Sequence, residues 1–176
     1  MKPVGVAIVG CRRISDLHEL GYRGLDTANI LAVCDTRKGR AQQKAKDWGA
    51  PKVYTEYKKL LADPEIDLVE LLVPRHLHAP MTVAACQAGK HVSVQKPMAL
   101  TASETDQMIE AARTIDLPEL VLFRDGKNTS IPLSGVEWHD SFIACTHHLI
   151  EVLQKGGSPR LDGPAGKAVL QFTLAA

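Results

Sequence analysis

Val4-Gly5-Val6-Ala7-Ile8-Val9-Gly10-Cys11-Arg12-Arg13-Ile14-Ser15 is the stretch on which the fold turns. Val4, Val6, Ile8 and Val9 form a near-continuous apolar run, the composition of a parallel strand covered on both faces. The run ends at Gly10, and a polar segment compatible with a helix follows at once. A glycine there lets the backbone turn sharply and open a helix whose first N–H groups face outward.

The downstream chain repeats this pattern. A helix is expected over 14–25. A second buried strand over 30–34 ends in Asp35, 25 residues beyond Gly10. That is close to the spacing at which a carboxylate closes the second strand of a mononucleotide-binding unit. A helix over 36–48 stops at Gly49. A short strand over 52–54 and a short helix over 56–61 follow, ended by Asp63-Pro64. A strand over 67–73 is stopped by Pro74. A helix over 78–88 carries Pro80 in its first turn and Gly89 just past its end. A strand over 91–94 runs into Gln95-Lys96-Pro97. Thr101-Ala102-Ser103-Glu104 has capping-box spacing and opens a helix with Met108, Ile109, Ala112 and Ile115 on one side. Alternating strands and helices predict an α/β fold: an open parallel sheet with helices on both faces. Ligands in such sheets sit beyond the carboxyl ends of the strands.

The character changes near Asp116-Leu117-Pro118, which divides the chain into units 1–117 and 118–176. Residues 120–123 and 129–133 read as strands around Asp125-Gly126-Lys127-Asn128, a β-hairpin. Residues 120–123 are also placed to join the parallel sheet as a sixth strand. Residues 136–153 form an amphipathic helix through Trp138, Phe142, Cys145, Leu149 and Val152. Residues 163–176 read as a last helix, and 169–174 also pass for a strand. The second unit is thus a short α+β segment.

At 176 residues, 45% apolar and 23% charged, the chain has the composition of an ordinary globular protein. Its net charge of +1 offers no bulk attraction for nucleic acid or a membrane surface. No signal-peptide pattern or apolar run of spanning length occurs, so a cytoplasmic protein is expected. Cys11, Cys34, Cys86 and Cys145 lie far apart with no C-x-x-C, which favours reduced thiols over disulfides or zinc. His76 and His78, two apart, do not share a helical face, and no metal site is expected. His147 and His148 read as structural or solvated residues of their helix.

Taken together, the strand over 4–9 with Gly10, Ala32-Val33-Cys34-Asp35, Tyr54-Thr55-Glu56-Tyr57, Leu61-Ala62-Asp63-Pro64-Glu65-Ile66-Asp67, His76-Leu77-His78-Ala79-Pro80, Ala88-Gly89-Lys90-His91-Val92 and Lys96-Pro97 resemble the Gfo/Idh/MocA family. This family includes glucose-fructose oxidoreductase and inositol dehydrogenase. The resemblance runs in register over about residues 3–115. Trp138-His139-Asp140-Ser141-Phe142, Gly156, Pro159, Asp162-Gly163 and Gly166 resemble the family's far C-terminal end. Family members carry between these parts most of an antiparallel sheet that holds the substrate. Its acid and histidine have no counterpart here.

The resemblance implies a Rossmann-type domain and hydride transfer between NAD(P) and a sugar or polyol carbon bearing a hydroxyl or carbonyl. The alternative is an inactive nucleotide-binding or protein-interaction module derived from the family by internal deletion. The cofactor positions implied are Gly10, Cys11, Arg12, Ile14, Asp35, Arg37, Pro74, His78, Gln95, Lys96 and Pro97. Lys96 is the implied catalytic residue, a cation able to stabilise developing alkoxide charge or assist proton transfer. Asp35 would accept from the adenosine ribose hydroxyls and favours NAD over NADP, and Arg37 is the neighbour NADP would use. The family has Gly, Asn and Glu where this chain has Arg12, Arg75 and Gln95. Arg12 either crowds the pyrophosphate or binds it through its guanidinium. Removal of the middle sheet would leave apolar surface, so a homo-oligomer is expected, with the C-terminal segment exchanged between chains.

Overall fold

A computed structural model describes residues 2–114, 121–123 and 138–155. Its strands are β1 (Val4–Val9), β2 (Ala28–Cys34), β3 (Lys52–Tyr54), β4 (Leu68–Leu71), β5 (His91–Gln95) and β6 (Val121–Phe123). The helices are α1 (Ile14–Tyr22), α2 (Lys38–Trp48), α3 (Tyr57–Leu61), α4 (His78–Gln87), α5 (Ala102–Thr114) and α6 (Trp138–Lys155). A single 3-10 turn, Arg75–Leu77, leads into α4.

The strands form one six-stranded sheet in the order β3-β2-β1-β4-β5-β6, with every neighbouring pair parallel. Chain order reverses direction between β1 and β4. Such a reversal leaves a crevice at the carboxyl ends of the strands, because the connections on its two sides cross over opposite faces.

Period-two alternation divides the core. Ala7, Val9, Ala32, Cys34, Val69, Leu71, Val92 and Val94 face one side, where they meet α3, α4 and α5. Val6, Ile8 and Leu68 face the other, against Tyr22 of α1 and Leu149 and Ile150 of α6. Both faces are covered, which accounts for the apolar run over 4–9.

Strand β6 settles between the two expectations for residues 120–123. It pairs parallel with β5, Ser93 with Val121 through Gln95 with Phe123. Helix α5 returns the chain to the starting end of the sheet, so the next strand lies parallel to β5. The hairpin's second strand at 129–133, its turn and the last helix at 163–176 fall outside the described residues, as do the side chains of Trp138, Phe142 and Cys145. Helix α6 packs on α1, and an added Cβ on Gly21 would lie 2.3 Å from Thr146 Oγ1.

Local signals set several boundaries. The Glu104 N–H donates to Thr101 Oγ1 at 3.1 Å, and Glu104 Oε2 accepts from the N–H groups of Leu100 and Thr101 at 2.8 and 3.2 Å. This reciprocal cap starts α5. Helix α2 starts at Lys38 rather than Thr36, because the Arg37 N–H is turned back onto Asp35 at 2.9 Å. Among the described residues, no helix is long and apolar enough to cross a membrane.

Candidate functional site

At the strand reversal lies a cleft of about 390 Å³. Its walls include Gly10, Arg12, Asp35, Arg37 and Pro74, five residues singled out from sequence. They come from the ends of β1, β2 and β4, which the sheet places side by side.

Gly10 makes the turn possible in two ways. Its φ is +96°, a conformation that side chains disfavour. A Cβ there would also lie 2.4 Å from the Leu72 carbonyl oxygen at the end of β4. The Gly10 N–H donates to the Cys34 carbonyl at 2.8 Å, and the Leu72 N–H to the Val9 carbonyl at 2.8 Å. The turn is therefore pinned to the ends of both neighbouring strands. Ser15 closes it, its N–H and hydroxyl donating to the Arg12 carbonyl at 2.9 and 2.5 Å. The first N–H groups of a helix have no intrahelical acceptor, so the start of α1 presents donors and a partial positive charge. Arg12 is exposed and lines the cleft.

Asp35 is buried, and its carboxylate is well supplied with donors. Oδ2 accepts from the Cys11 N–H at 3.0 Å and Oδ1 from the Arg37 N–H at 2.9 Å. Arg40 Nη1 lies 3.1 Å from Oδ2. Burial opposes the charge, but the Arg37 and Cys11 N–H groups and the Arg40 guanidinium outweigh it and hold this carboxyl below its ordinary range. Arg40 escaped the sequence reading. Its available signal was its place in the first turn of α2, five residues beyond Asp35. Tyr57 and Met81 also line the cleft, and the Tyr57 hydroxyl donates to the Met81 carbonyl at 3.0 Å.

Other residues implied by the resemblance occupy different surroundings. The Cys11 side chain is buried in a core cluster with Val33, Ala41 and Ala45. Burial and the Asp35 carboxylate push its thiol up to about 12, far from a reactive thiolate. Burial likewise raises Cys34 and Cys86 to about 11, and all three are free. Ile14 packs against the core on the α1 face. His78 is turned inward, its Nδ1 2.8 Å from the Pro97 carbonyl and its Nε2 2.9 Å from the Val73 carbonyl. It joins the end of β5 to the loop after β4. The side chains of Cys11, Ile14 and His78 thus meet core or backbone rather than the cleft. Their alternation along the chain carries no signal of that orientation.

Gln95, Lys96 and Pro97 lie together at the end of β5, the Lys96–Pro97 peptide being cis. Lys96 and Pro97 are exposed, and the Lys96 N–H donates to Gln95 Oε1 at 2.7 Å.

Residues 4–119 match the model of the Gfo/Idh/MocA oxidoreductase family with an NAD-binding Rossmann fold. Myo-inositol 2-dehydrogenase of Thermotoga maritima is 29% identical over 112 residues, 64% of this chain and 34% of that protein. D-glucoside 3-dehydrogenase of Escherichia coli is 32% identical over 114 residues, 64% of this chain and 32% of that protein. The crystal structure of an NAD binding oxidoreductase from Klebsiella pneumoniae superposes with a TM-score of 0.64 at 29% identity, covering 69% of this chain and 34% of the other. The chain spans about a third of the length of the curated relatives it matches. The strand order, the glycine turn against β4 and the family match over residues 4–119 agree, and the chain belongs to the Gfo/Idh/MocA family of oxidoreductases with an NAD-binding Rossmann fold.

Proposed function

We propose that this chain binds a nicotinamide dinucleotide in the cleft at the strand reversal and takes part in hydride transfer on a sugar or polyol hydroxyl or carbonyl. The observation that carries the proposal is the convergence of Gly10, Arg12 and Asp35 on one cleft at the carboxyl ends of the strands. The residues present fit such a cofactor: a helix start and a guanidinium suit pyrophosphate, and a carboxylate at the end of β2 suits ribose hydroxyls. The bound nicotinamide would supply or accept the hydride. The turn over 10–15 and Arg12 would hold the diphosphate. Asp35 would accept from the ribose as Arg40 swings aside, and its charge would repel a 2′-phosphate, which favours NAD over NADP. Lys96, exposed at the end of β5, would donate to the reacting oxygen and stabilise it as negative charge develops.

A second reading is nucleotide binding without turnover. It is favoured by Arg12, Arg75 and Gln95, which stand where the family has Gly, Asn and Glu. On either reading the chain self-associates, and a sharp monomer in light scattering at low concentration would count against that.

The experiment is a fluorescence titration with NADH and NADPH on the parent, Lys96→Ala and Arg12→Gly, beside turnover assays with sugars and polyols. The parent should bind NADH more tightly than NADPH. Lys96→Ala should retain binding and lose turnover. Arg12→Gly should weaken binding about tenfold or more, the worth of a charge-assisted hydrogen bond. Binding without turnover in the parent favours the second reading. Absence of binding to either nucleotide overturns both, and binding gained in Arg12→Gly overturns the role given to Arg12.

A further inference from the structure

Beneath the end of β5 a chain of polar side chains, buried except for the half-buried Gln95, runs across the sheet. Glu70 sits in the middle of β4, 2% exposed. Alternation places it on the same face as Leu68, toward α1. Its Oε2 accepts from the Tyr22 hydroxyl at 2.6 Å and its Oε1 contacts His18 Nδ1 at 2.5 Å. His18 and Tyr22, one turn apart on α1, are both buried. His18 Nε2 lies 3.0 Å from Gln95 Nε2, and Gln95 Oε1 accepts from the Lys96 N–H at 2.7 Å.

Donor and acceptor roles follow from one end of this chain. A backbone N–H only donates, so the oxygen of Gln95 faces Lys96 and the NH₂ faces His18. An amide NH₂ also only donates, so His18 Nε2 accepts and carries no proton. The proton of the imidazole then sits on Nδ1 and is donated to Glu70. Five groups take one consistent orientation, and each neighbour fixes the next.

We propose that Gln95 is the positioning residue for Lys96, oriented through His18 by the buried Glu70 and Tyr22. The proposal rests on the role given above to Lys96. The turn 95–97 is held on its other side by His78 through the Pro97 carbonyl. The Lys96 side chain is exposed, but the backbone that aims it is anchored in the core. A glutamate at this position would still accept from the Lys96 N–H.

The test compares the parent with Gln95→Glu and Gln95→Leu. In ¹⁵N NMR the parent should show the His18 proton on Nδ1, the tautomer its two partners require. Amide exchange at Lys96 should be slow in the parent and in Gln95→Glu. It should quicken about tenfold or more in Gln95→Leu, a variant whose fold is checked by its amide spectrum. If the parent turns over, Gln95→Leu should lower kcat about ten- to a hundredfold with little change in KM, the expected cost of a misplaced group, and Gln95→Glu should restore most of it. A parent His18 proton on Nε2, or Lys96 exchange unchanged in Gln95→Leu, overturns the proposal. Absence of turnover in the parent overturns the role of Lys96 and leaves the two NMR measurements to decide the positioning network.

Discussion

Replacing Gly10 with alanine probes the turn that joins the ends of β1 and β4. Two costs add. At φ +96° a side chain meets the left-handed penalty, about 1–2 kcal/mol. The new Cβ would also lie 2.4 Å from the Leu72 carbonyl oxygen and 2.8 Å from its carbon. These are backbone atoms of a strand held on both sides, so relief requires β4 to shift, at about 1–3 kcal/mol. The sum, about 2–5 kcal/mol, is a large part of the roughly 5–15 kcal/mol that holds a typical domain together. Gly49→Ala supplies the comparison. Gly49 has φ +70° with nothing within 4 Å of an added Cβ, so it meets only the conformational cost. Urea titrations of both variants read the difference through their midpoints at a common slope. Gly10→Ala should be the less stable by about 1–3 kcal/mol, the contact with Leu72 alone. If the two variants agree within about 0.5 kcal/mol, the surroundings have yielded and the turn is not pinned as described.

At Gly21 the prediction concerns a sign. Helix propensity alone would make Gly21→Ala more stable by about 1 kcal/mol. The clash with Thr146 at 2.3 Å should reverse this and release α6. Thermal unfolding and hydrogen exchange of the α6 amides check it, and a stabilised variant with α6 still protected refutes the close packing. Thr101→Ala should cost about 1 kcal/mol by removing the cap on Glu104, which a urea midpoint measures. Asp63 is expected to shape the acid limb of stability. Burial opposes its charge, but Lys52 Nζ and the Tyr54 hydroxyl, each at 2.7 Å, and the Glu65 N–H at 3.0 Å lower its carboxyl to about 2. A carboxyl lowered on folding stabilises the native state above its unfolded value, and that contribution fades as pH falls from about 4 to about 2. Urea midpoints across that range should drop more steeply for the parent than for Asp63→Asn, and parallel profiles would discount the group.

The candidate cleft was largely legible in the sequence because its central residues are governed by local rules. A near-continuous apolar run, a glycine at its end and a carboxylate at the end of the next strand are properties of short segments. They place Gly10, Arg12 and Asp35 before any contact is known. Arg40 was missed because its role depends on which side of α2 faces the sheet. Cys11 and His78 are cofactor positions by the resemblance, and the chain pattern does not say which way a side chain leaves a turn. The fold places Cys11 in the core and spends His78 on two carbonyls.

Local pattern suffices for the alternation of strands and helices, the caps and stops, the family and the chemistry available at the strand ends. Each follows from the period of apolar residues, from glycine and proline geometry, or from motifs a few residues long. The fold chose between the two arrangements open to residues 121–123 by pairing them parallel with β5, and it brought Gly10 against Leu72 and Glu70, His18 and Gln95 together beneath Lys96. Those outcomes depend on strand order and on which faces of distant segments are pressed together. Glu70 and His18 lie 52 residues apart in the chain and 2.5 Å apart in the fold, a relation that no local pattern encodes.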